Sequence, residues 1–318
     1  MNDVAAQHIS VMRDRCIELL SPALEKTTSP VVVDATLGLG GHTEALLDKF
    51  PQLTVIGIDR DEIALSRAKK RLERFGSRLI TTHATFEQIE KVVHNAGFTQ
   101  IHGALFDLGV SSIQLDESER GFSYAQDAPL DMRMDRSQGK TAADILNTYE
   151  PGKLVAVLRN YGEEKFAPQI VSKIVKAREK GFLNSTHQLV EIIKESIPAP
   201  ARRTGGNPAK RTFQALRIET NNELALITEA IPVAMALLAV GGRVVVMSFQ
   251  SLEDRIVKEI FVEASSSKSP SKLPIELPEY RAKFALVTKG AEVADKSELE
   301  ENSRSQSVRL RAIEKVVA

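Results

Sequence analysis

The 318-residue sequence contains one cysteine, no long apolar run and no excess of either charge. The single cysteine, Cys16, excludes an internal disulfide bond, and its apolar neighbours favour a small buried side chain over a nucleophile. No stretch approaches the roughly 20 apolar residues that cross a bilayer, and the first residues lack the basic and then apolar layout of a secretory signal. We therefore expect a cytoplasmic protein that does not bind membranes.

Net charge and histidine content give only limited information about the possible partners. The 42 Lys and Arg residues balance the 42 Asp and Glu residues, so only local clusters can indicate a polyanionic partner. The six histidines form no His-x₃-His pair and no pair with cysteine, and we expect no protein-bound metal. The length suits one large α/β domain, alone or with a smaller insert.

The most informative segment is 31–43, VVVDATLGLGGHT. Three valines end at Asp34, small residues and glycines follow, and a helical pattern comes next, which predicts a strand, a tight turn and a helix. Gly38 and Gly40 allow positive φ and let a ligand lie against the backbone, while the free N–H groups of the helix point at that ligand. A dinucleotide-binding fingerprint needs a third glycine where Thr43 stands, so that pattern fails.

The spacing instead resembles motif I of the S-adenosylmethionine-dependent methyltransferases, because Asp34 is followed by Gly38, Gly40 and Gly41. Asp59 ends the second predicted strand about twenty residues downstream, where a carboxylate can accept hydrogen bonds from two ribose hydroxyls. Both a dinucleotide and S-adenosylmethionine would use such a carboxylate. A glycine-rich turn that binds nothing is the alternative explanation.

Strand and helix patterns alternate over the first third of the chain, which is typical of a parallel sheet with helices on both faces. The four predicted strands cover 31–35, 53–59, 78–83 and 102–108. Ligands of such sheets bind beyond the carboxyl ends of the strands, so the glycine turn, Asp59, Phe86 and Asp107 should converge on one crevice. Phe86 can pack on an adenine ring or simply in the core.

A second unit interrupts the sheet. A long polar loop follows the fourth strand, and the pattern from 141 to about 198 is helical throughout. The sheet resumes with RVVVMSF, and RAKFALV and SVRLRAIEKV predict a closing antiparallel pair. The sequence therefore predicts an α/β fold: a Rossmann-like class I methyltransferase sheet from residues 1–136 and 207–318, with an inserted all-helical subdomain at 137–206.

Asp107 ends the fourth predicted strand, in the run DLGVSS. Methyl transfer from a sulfonium is an in-line displacement, so the enzyme mainly has to position the nucleophile. Asp107 can accept a hydrogen bond from an exocyclic amine and later take its proton, bind the ammonium group of the cofactor, or only form the turn. Ser111 and Ser112 can add donors to a base edge, and Phe249, at the end of the fifth strand, is a candidate contact for the reacting base.

Basic residues cluster at two long loops, although the total charge is neutral. In the first loop Arg133 alternates with side chains such as Phe122 and Met132, a composition on which unpaired bases can stack. These clusters suit an inserted subdomain that contacts phosphates, although solvated helix faces explain each cluster as well. The candidate RNA-binding residues are Arg133, Arg202, Arg203, Lys210, Arg211 and Arg217.

Seven sequence blocks follow one another over nearly the whole chain. They are DATLGLGGHT at 34–43, DLGVSSIQLD at 107–116, RGFSY with PLDMRMD at 120–135, YGEEKFA at 161–167, NPAKRTFQALRIETNNEL at 207–224, GGRVVVMSFQSLEDRIVK at 241–258 and the tail NSRSQSVRLRAIEK. Together they resemble the bacterial 16S ribosomal RNA cytosine-N4 methyltransferases, the MraW family. Runs such as PLDMRMD and RTFQALRI, which no general fold requires, make the resemblance specific.

The resemblance implies methylation of the exocyclic N4 of a cytidine in the decoding centre of the small ribosomal subunit. It also implies S-adenosylmethionine as cofactor and 16S rRNA, not DNA, as partner. Two cofactor-binding positions, His42 and Gln114, rest on the resemblance alone. The full set of cofactor-binding candidates is Asp34, Gly38, Gly40, Gly41, His42, Asp59, Phe86, Asp107 and Gln114.

This chain departs from the family pattern at several positions, and Gln250 matters most because the family has histidine there. We therefore expect no histidine base at that position. Two other functions stay open. One is a nicotinamide-dependent oxidoreductase, which the missing third glycine and the lack of a proton-transfer set disfavour; the other is a non-catalytic RNA-binding relative that has kept the fold.

Overall fold

The computed structural model describes residues 10–202, 207–269 and 280–317. The chain divides into two compact units. The first is formed by Met1–Gly109 together with Leu224–Ala318, and the second by Val110–Glu223. The second unit is thus an insertion between two stretches of the first.

Seven strands in the described part of the first unit form one sheet. They are β1 (Val31–Asp34), β2 (Thr54–Asp59), β3 (Leu79–His83), β4 (Ile101–Asp107), β5 (Leu238–Ser248), β6 (Phe284–Leu286) and β7 (Arg309–Lys315). Their order across the sheet is β3-β2-β1-β4-β5-β7-β6. Strands β1 to β5 are parallel, whereas β7 runs antiparallel to β5 and β6. The predicted α/β sheet and its closing antiparallel pair are confirmed.

The sheet is buried on both faces. Val32 of β1 belongs to the same hydrophobic cluster as Leu105 of β4, whereas Val31 and Val33 belong to a second cluster with Ala104. Successive side chains of a strand point to opposite faces, so an unbroken valine run has to be covered on both. The local sequence therefore demands helices above and below β1.

The helices follow the order that the alternating pattern predicts. They are α1 (Arg13–Leu24), α2 (Gly41–Lys49), α3 (Glu62–Arg71), α4 (Ile89–Asn95), α5 (Ser112–Asp116), α6 (Ala142–Thr148), α7 (Pro151–Gly162), α8 (Ala167–Arg178), α9 (Thr186–Ser196), α10 (Ala199–Arg202), α11 (Lys210–Asn221), α12 (Glu223–Leu237), α13 (Ser251–Ala264) and α14 (Lys296–Glu301). Residues of α1, α2 and α3 pack in one cluster against the sheet, and residues of α4, α12 and α13 pack in the other.

The second unit has a hydrophobic core of its own, built mainly by α6 to α9 and α11. Phe122 and Met132, from the long loop after β4, are buried in this core, as is Phe213 of α11. The predicted boundaries of the insert, 137 and 206, are therefore too narrow on both sides. The predicted base-stacking surface is also wrong for Phe122 and Met132, because their side chains fill the core.

Candidate active site

Three aspartates end neighbouring strands of the first unit: Asp34 on β1, Asp59 on β2 and Asp107 on β4. Strand β1 lies between the other two, so all three face the carboxyl edge of the sheet where the strand order reverses. Burial raises the pKa of Asp34 and Asp59 to about 6 and that of Asp107 to about 8. Asp34 is buried and the other two are half-buried, and a group of such unusually basic carboxylates at this edge is the pattern expected of a binding site.

The turn between β1 and α2 has the geometry that its glycines predict. Gly40 is left-handed, with φ 78, and a Cβ there would lie 2.6 Å from Cδ1 of Leu72. Gly38 also has positive φ, and its N–H donates a hydrogen bond of 2.7 Å to Oδ2 of Asp59. The turn is therefore tied to the end of β2, and Gly41 begins α2 beside it.

Asp34 holds this turn in shape. Its Oδ2 accepts a hydrogen bond of 2.7 Å from the hydroxyl of Thr43, and its Oδ1 accepts one of 3.3 Å from the N–H of Thr36. Thr43 thus occupies the position of the missing third glycine, and its hydroxyl orients the carboxylate of Asp34. Both carboxylate oxygens thus have partners within the protein, so Asp34 fixes the turn, and its direct contact with the cofactor stays a prediction.

Asp59 can still accept donors from a ligand. Its Oδ2 is bonded to Gly38 and its Oδ1 accepts a hydrogen bond of 2.8 Å from the N–H of Asp61. An ionised carboxylate offers about four acceptor positions, so each oxygen keeps one for a hydroxyl group. The residues present therefore fit a ribose at the end of β2.

His42 is a buried, neutral imidazole. Its Nε2 lies 3.0 Å from the carbonyl oxygen of Val11, which can only accept, so Nε2 carries the proton and Nδ1 does not. Burial lowers the pKa of His42 to about 4, so the ring stays neutral above that pH. Its Nδ1 lies 4.0 Å from Oδ2 of Asp107.

Asp107 has an unsatisfied acceptor. Its backbone N–H donates a hydrogen bond of 2.7 Å to the hydroxyl of Thr36, which fixes the end of β4 against the turn. Its Oδ1 is buried and has no hydrogen-bond partner among the described residues. Burial, and then the nearby charges of Asp34 and Glu253, raise the pKa of this carboxyl to about 8. A buried oxygen without a partner is unfavourable and indicates that a ligand supplies the donor.

Phe86 begins the 3₁₀ turn Phe86–Gln88 that follows β3. Its ring meets Phe106 of β4 edge to face, with the ring centres 5.9 Å apart. The side chain is only half-buried, so it packs on the core and still presents surface at the edge of the sheet. Both explanations offered by the sequence, a core residue and an adenine contact, are compatible with this position.

Phe249 and Gln250 follow directly after β5, and Gln250 is the residue that departs from the family pattern. A Cβ on Gly109 would lie 3.9 Å from Cδ2 of Phe249, so this ring lies beside the turn after Asp107. Gln250 caps α13 in a capping box, and Oε2 of the fully buried Glu253 accepts the N–H of Phe249 at 2.8 Å. Gln250 therefore has a structural role.

Sequence reasoning missed two contributors, Thr36 and Glu253. The signal for Glu253 was present, because a glutamate three residues after a capping position is the mark of a capping box. Thr36 gave no such signal, since its hydroxyl acquires a partner only when β4 lies beside the turn.

Three of the predicted catalytic and cofactor-binding residues belong to the second unit. Gln114 is buried in α5, and its Oε1 accepts a hydrogen bond of 3.0 Å from the N–H of Ser111. The hydroxyl oxygen of Ser111 is buried without a partner among the described residues. The backbone of Ser112 begins α5, and its side chain lies outside the described part of the structure.

The candidate RNA-binding cations divide into two groups. Arg133 is bonded to both carboxylate oxygens of Asp131, at 2.7 and 3.0 Å, and Arg217 to both oxygens of Glu223, at 2.8 Å each. These two half-buried guanidinium groups pair with carboxylates of the second unit, and their contact with RNA stays a prediction. Arg202, Lys210 and Arg211 are exposed, and Arg203 lies outside the described residues.

Two further findings concern only the part of the chain that the structure describes. No helix there is both long and apolar enough to span a membrane. No group of three or more His, Cys, Asp or Glu side chains there is arranged to hold a metal ion.

The sheet order, the glycine turn and the acids at the strand ends define a Rossmann-like class I methyltransferase. The chain belongs to the MraW methylase family, whose model matches residues 5–316, so the sequence resemblance is confirmed. The methyl donor of this methyltransferase is S-adenosylmethionine.

Similar proteins cover almost the whole chain. Two similar proteins are named ribosomal RNA small subunit methyltransferase H. The one from Mycolicibacterium smegmatis is 55% identical over 99% of this chain and 86% of its own length. The one from Pseudarthrobacter chlorophenolicus is 52% identical over 98% of this chain and 96% of its own length. Among solved structures, an rRNA methylase from Streptococcus thermophilus is 14% identical, with a TM-score of 0.43 over 95% of both chains.

Proposed function

We propose that this enzyme transfers a methyl group from S-adenosylmethionine to the exocyclic N4 of a cytidine in the decoding centre of 16S rRNA, within the small ribosomal subunit. Relatives named ribosomal RNA small subunit methyltransferase H, at 50–55% identity over nearly the whole chain, support the substrate class. The observation that carries the choice of atom is the buried Oδ1 of Asp107, which lacks a donor among the described residues.

An exocyclic amine supplies the donor that Asp107 lacks. One N–H of the cytosine amine donates to the carboxylate, which turns the nitrogen lone pair away from Asp107 and toward the methyl carbon. The N4–C bond forms as the S–C bond breaks, and the sulfur keeps the electron pair of the broken bond. The methylated nitrogen then loses its proton to the carboxylate, so the positive charge does not stay on the base.

The other methylation site of cytosine, C5, needs different residues. C5 becomes nucleophilic only after a thiolate or another nucleophile has added to C6. The single cysteine, Cys16, is 1% exposed and lies with its sulfur 3.6 Å from that of Met247. Burial raises the pKa of the Cys16 thiol well above its ordinary value, so it does not supply a thiolate. Amine methylation needs no such nucleophile.

S-adenosylmethionine supplies an electrophilic methyl group on a sulfonium. The protein side of its site consists of the glycine turn, Asp59 for the ribose hydroxyls and Phe86 for the adenine ring. Thr36, Asp34 and the capping residues of α13 keep these groups at fixed positions, because each is hydrogen-bonded within the first unit. On the RNA side, the exposed Arg202, Lys210 and Arg211 contact phosphates.

The test is incubation of the purified enzyme with methyl-labelled S-adenosylmethionine and small subunits that lack the modification. Digestion to nucleosides, with chromatography against standards, should place the label in N4-methylcytidine, and mapping should place it at one nucleotide. Small subunits that already carry the modification should take up no label. Label on a ribose, on C5 or on no nucleoside would refute the assignment, and the last result would favour a non-catalytic RNA-binding relative.

A further inference from the structure

Phe182 is the only phenylalanine or tyrosine with an exposed side chain. All residues of these two types lie within the described ranges, and all except Phe182 are buried or half-buried. The Phe182 side chain is 57% exposed and stands in the loop 179–185, between α8 and α9 of the second unit. A large aromatic side chain in water indicates a surface that a partner covers.

The loop beneath the ring is fixed. The side chain of Asn147 on α6 donates to the carbonyl oxygen of Leu183 at 2.8 Å and accepts from its N–H at 3.0 Å. The Leu183 side chain is 5% exposed and belongs to the core of the second unit. On the next residue, the carbonyl oxygen of Asn184 accepts the N–H of Leu130 at 2.9 Å. The exposure of Phe182 is therefore not the result of a poorly packed loop, because the residues that follow it are anchored.

Cations flank the ring. The segment 173–184, KIVKAREKGFLN, has four basic residues and one acidic residue, a net charge of +3. Lys176 and Lys180 are exposed and form no ion pair with other described residues. Arg178 has a different task, since its Nη1 donates to the carbonyl oxygens of Leu146 and Tyr149 at the end of α6. The two lysines are thus available to a polyanion.

We propose that Phe182 is a platform on which an unpaired base of the rRNA substrate stacks, while Lys176 and Lys180 contact neighbouring phosphates. An exposed aromatic ring beside cations is the combination with which proteins bind single-stranded nucleic acid. A protein partner would need a wider apolar surface, and the other exposed side chains of this loop, Glu179, Lys180 and Asn184, are charged or polar. The proposal depends on an RNA substrate but not on which nucleotide is methylated.

The chain has no tryptophan, so Phe182→Trp introduces a single fluorophore at the platform. We expect a short single-stranded oligoribonucleotide to quench its emission and a fully paired RNA of equal length to quench it much less. Val240→Trp is the matched control, because Val240 is also 57% exposed but lies on β5 of the first unit, and its emission should not respond. Equal quenching of both variants, or none at Phe182→Trp, overturns the proposal.

A second measurement tests the contribution to substrate binding. Stacking energies lead us to expect that Phe182→Ala weakens binding of small subunits by about fivefold to 150-fold, while Phe182→Tyr keeps the affinity. The affinity for S-adenosylmethionine and the melting temperature should not change, because the ring is largely in solvent. Weaker binding of subunits without any fluorescence response to RNA would overturn the proposal and indicate a protein contact. Methylation of a nucleotide other than the expected cytidine would refute the proposed function and leave this result intact.

Discussion

The Nδ1 atom of His42 lies 4.0 Å from Oδ2 of Asp107, and it is the nitrogen that carries no proton. Burial lowers the pKa of His42 to about 4 and raises the pKa of Asp107 to about 8, so both groups are neutral at pH 7. Asp34 and Glu253 are the charged groups that act on Asp107, and Arg13 is the one that acts on His42. The pair therefore holds a single titratable proton, on Asp107, at the edge of the sheet where ligands bind.

We expect binding of S-adenosylmethionine at pH 7 to release a proton from Asp107. The positive charges of the cofactor favour the ionised carboxyl group and lower its pKa from about 8. Calorimetry in buffers with different ionisation enthalpies counts the released protons. Asp107→Asn should bind without proton release, and a binding enthalpy of the parent protein that is the same in every buffer would contradict this account.

Asp107→Asn should also reduce the rate of methyl transfer at saturating cofactor. The amide has the shape of the carboxyl group but cannot take the proton of the amine, and loss of a general base typically slows a reaction about 100-fold or more. Single-turnover methylation with cofactor far above its dissociation constant measures this step. Asp48→Asn, which changes an exposed carboxylate on α2, is the control. If Asp107→Asn regains the parent rate at high cofactor, Asp107 is only a cofactor ligand.

Without ligand, Asp107 should make the folded protein less stable as the pH rises. Its pKa is 3.8 in an unfolded chain and about 8 in the folded protein, so the folded state binds more protons in between and loses stability with rising pH. Above pH 7 the carboxyls of Asp34 and Asp59 and the imidazole of His42 have finished titrating.

The measurement is the free energy of unfolding from pH 5 to pH 8.5 for the parent protein and for Asp107→Asn. The stability of the variant relative to the parent should increase with pH, by at most about 1.4 kcal/mol for each pH unit, and should level off above pH 8. Parallel curves for the two proteins would show that Asp107 is not buried as a neutral acid.

The strand ends could be predicted from the sequence because each has a local signal. Asp34 and Asp59 both follow β-branched runs, and a parallel sheet brings the ends of its strands to one edge whatever the details of packing. The residues that align those acids could not be predicted in this way. The hydroxyl of Thr36 accepts a hydrogen bond from Asp107, and that of Thr43 donates one to Asp34, only once the turn has folded against β4 and α2.

Composition predicts the environment of a side chain least well in segments that mix charged and apolar residues. Arg133 and Arg217 stand among other basic residues, yet each pairs with a carboxylate close to it in the sequence, Asp131 and Glu223 respectively. Phe122 stands in a polar loop, yet it fills the core of that unit. Loops of mixed composition have no periodic pattern that tells a buried or paired side chain from an exposed one, so they are harder to predict than strands.

Asp59→Ala should weaken binding of S-adenosylmethionine by about 2–4 kcal/mol, since the variant cannot form the two charge-assisted hydrogen bonds to ribose hydroxyls. The variant also removes the acceptor for the N–H of Gly38, so part of the effect comes from a looser turn. Asp59→Asn separates the two effects, because it keeps one acceptor for the turn or the ribose. Calorimetry should find the asparagine variant between the parent and the alanine variant, and unchanged affinity in Asp59→Ala would refute the ribose contact.

The exposed cations of α11 should account for part of the salt dependence of RNA binding. Changing both Lys210 and Arg211 to glutamine should weaken the affinity for small subunits and flatten the plot of log affinity against log salt concentration, by about one unit of slope for each phosphate that the variant no longer binds. The affinity for S-adenosylmethionine should not change. The double change of Lys69 and Lys70, two exposed cations on α3, is the matched control and should leave the slope as it is. If both double variants flatten the slope equally, the effect comes from net charge, and α11 does not bind the phosphates directly.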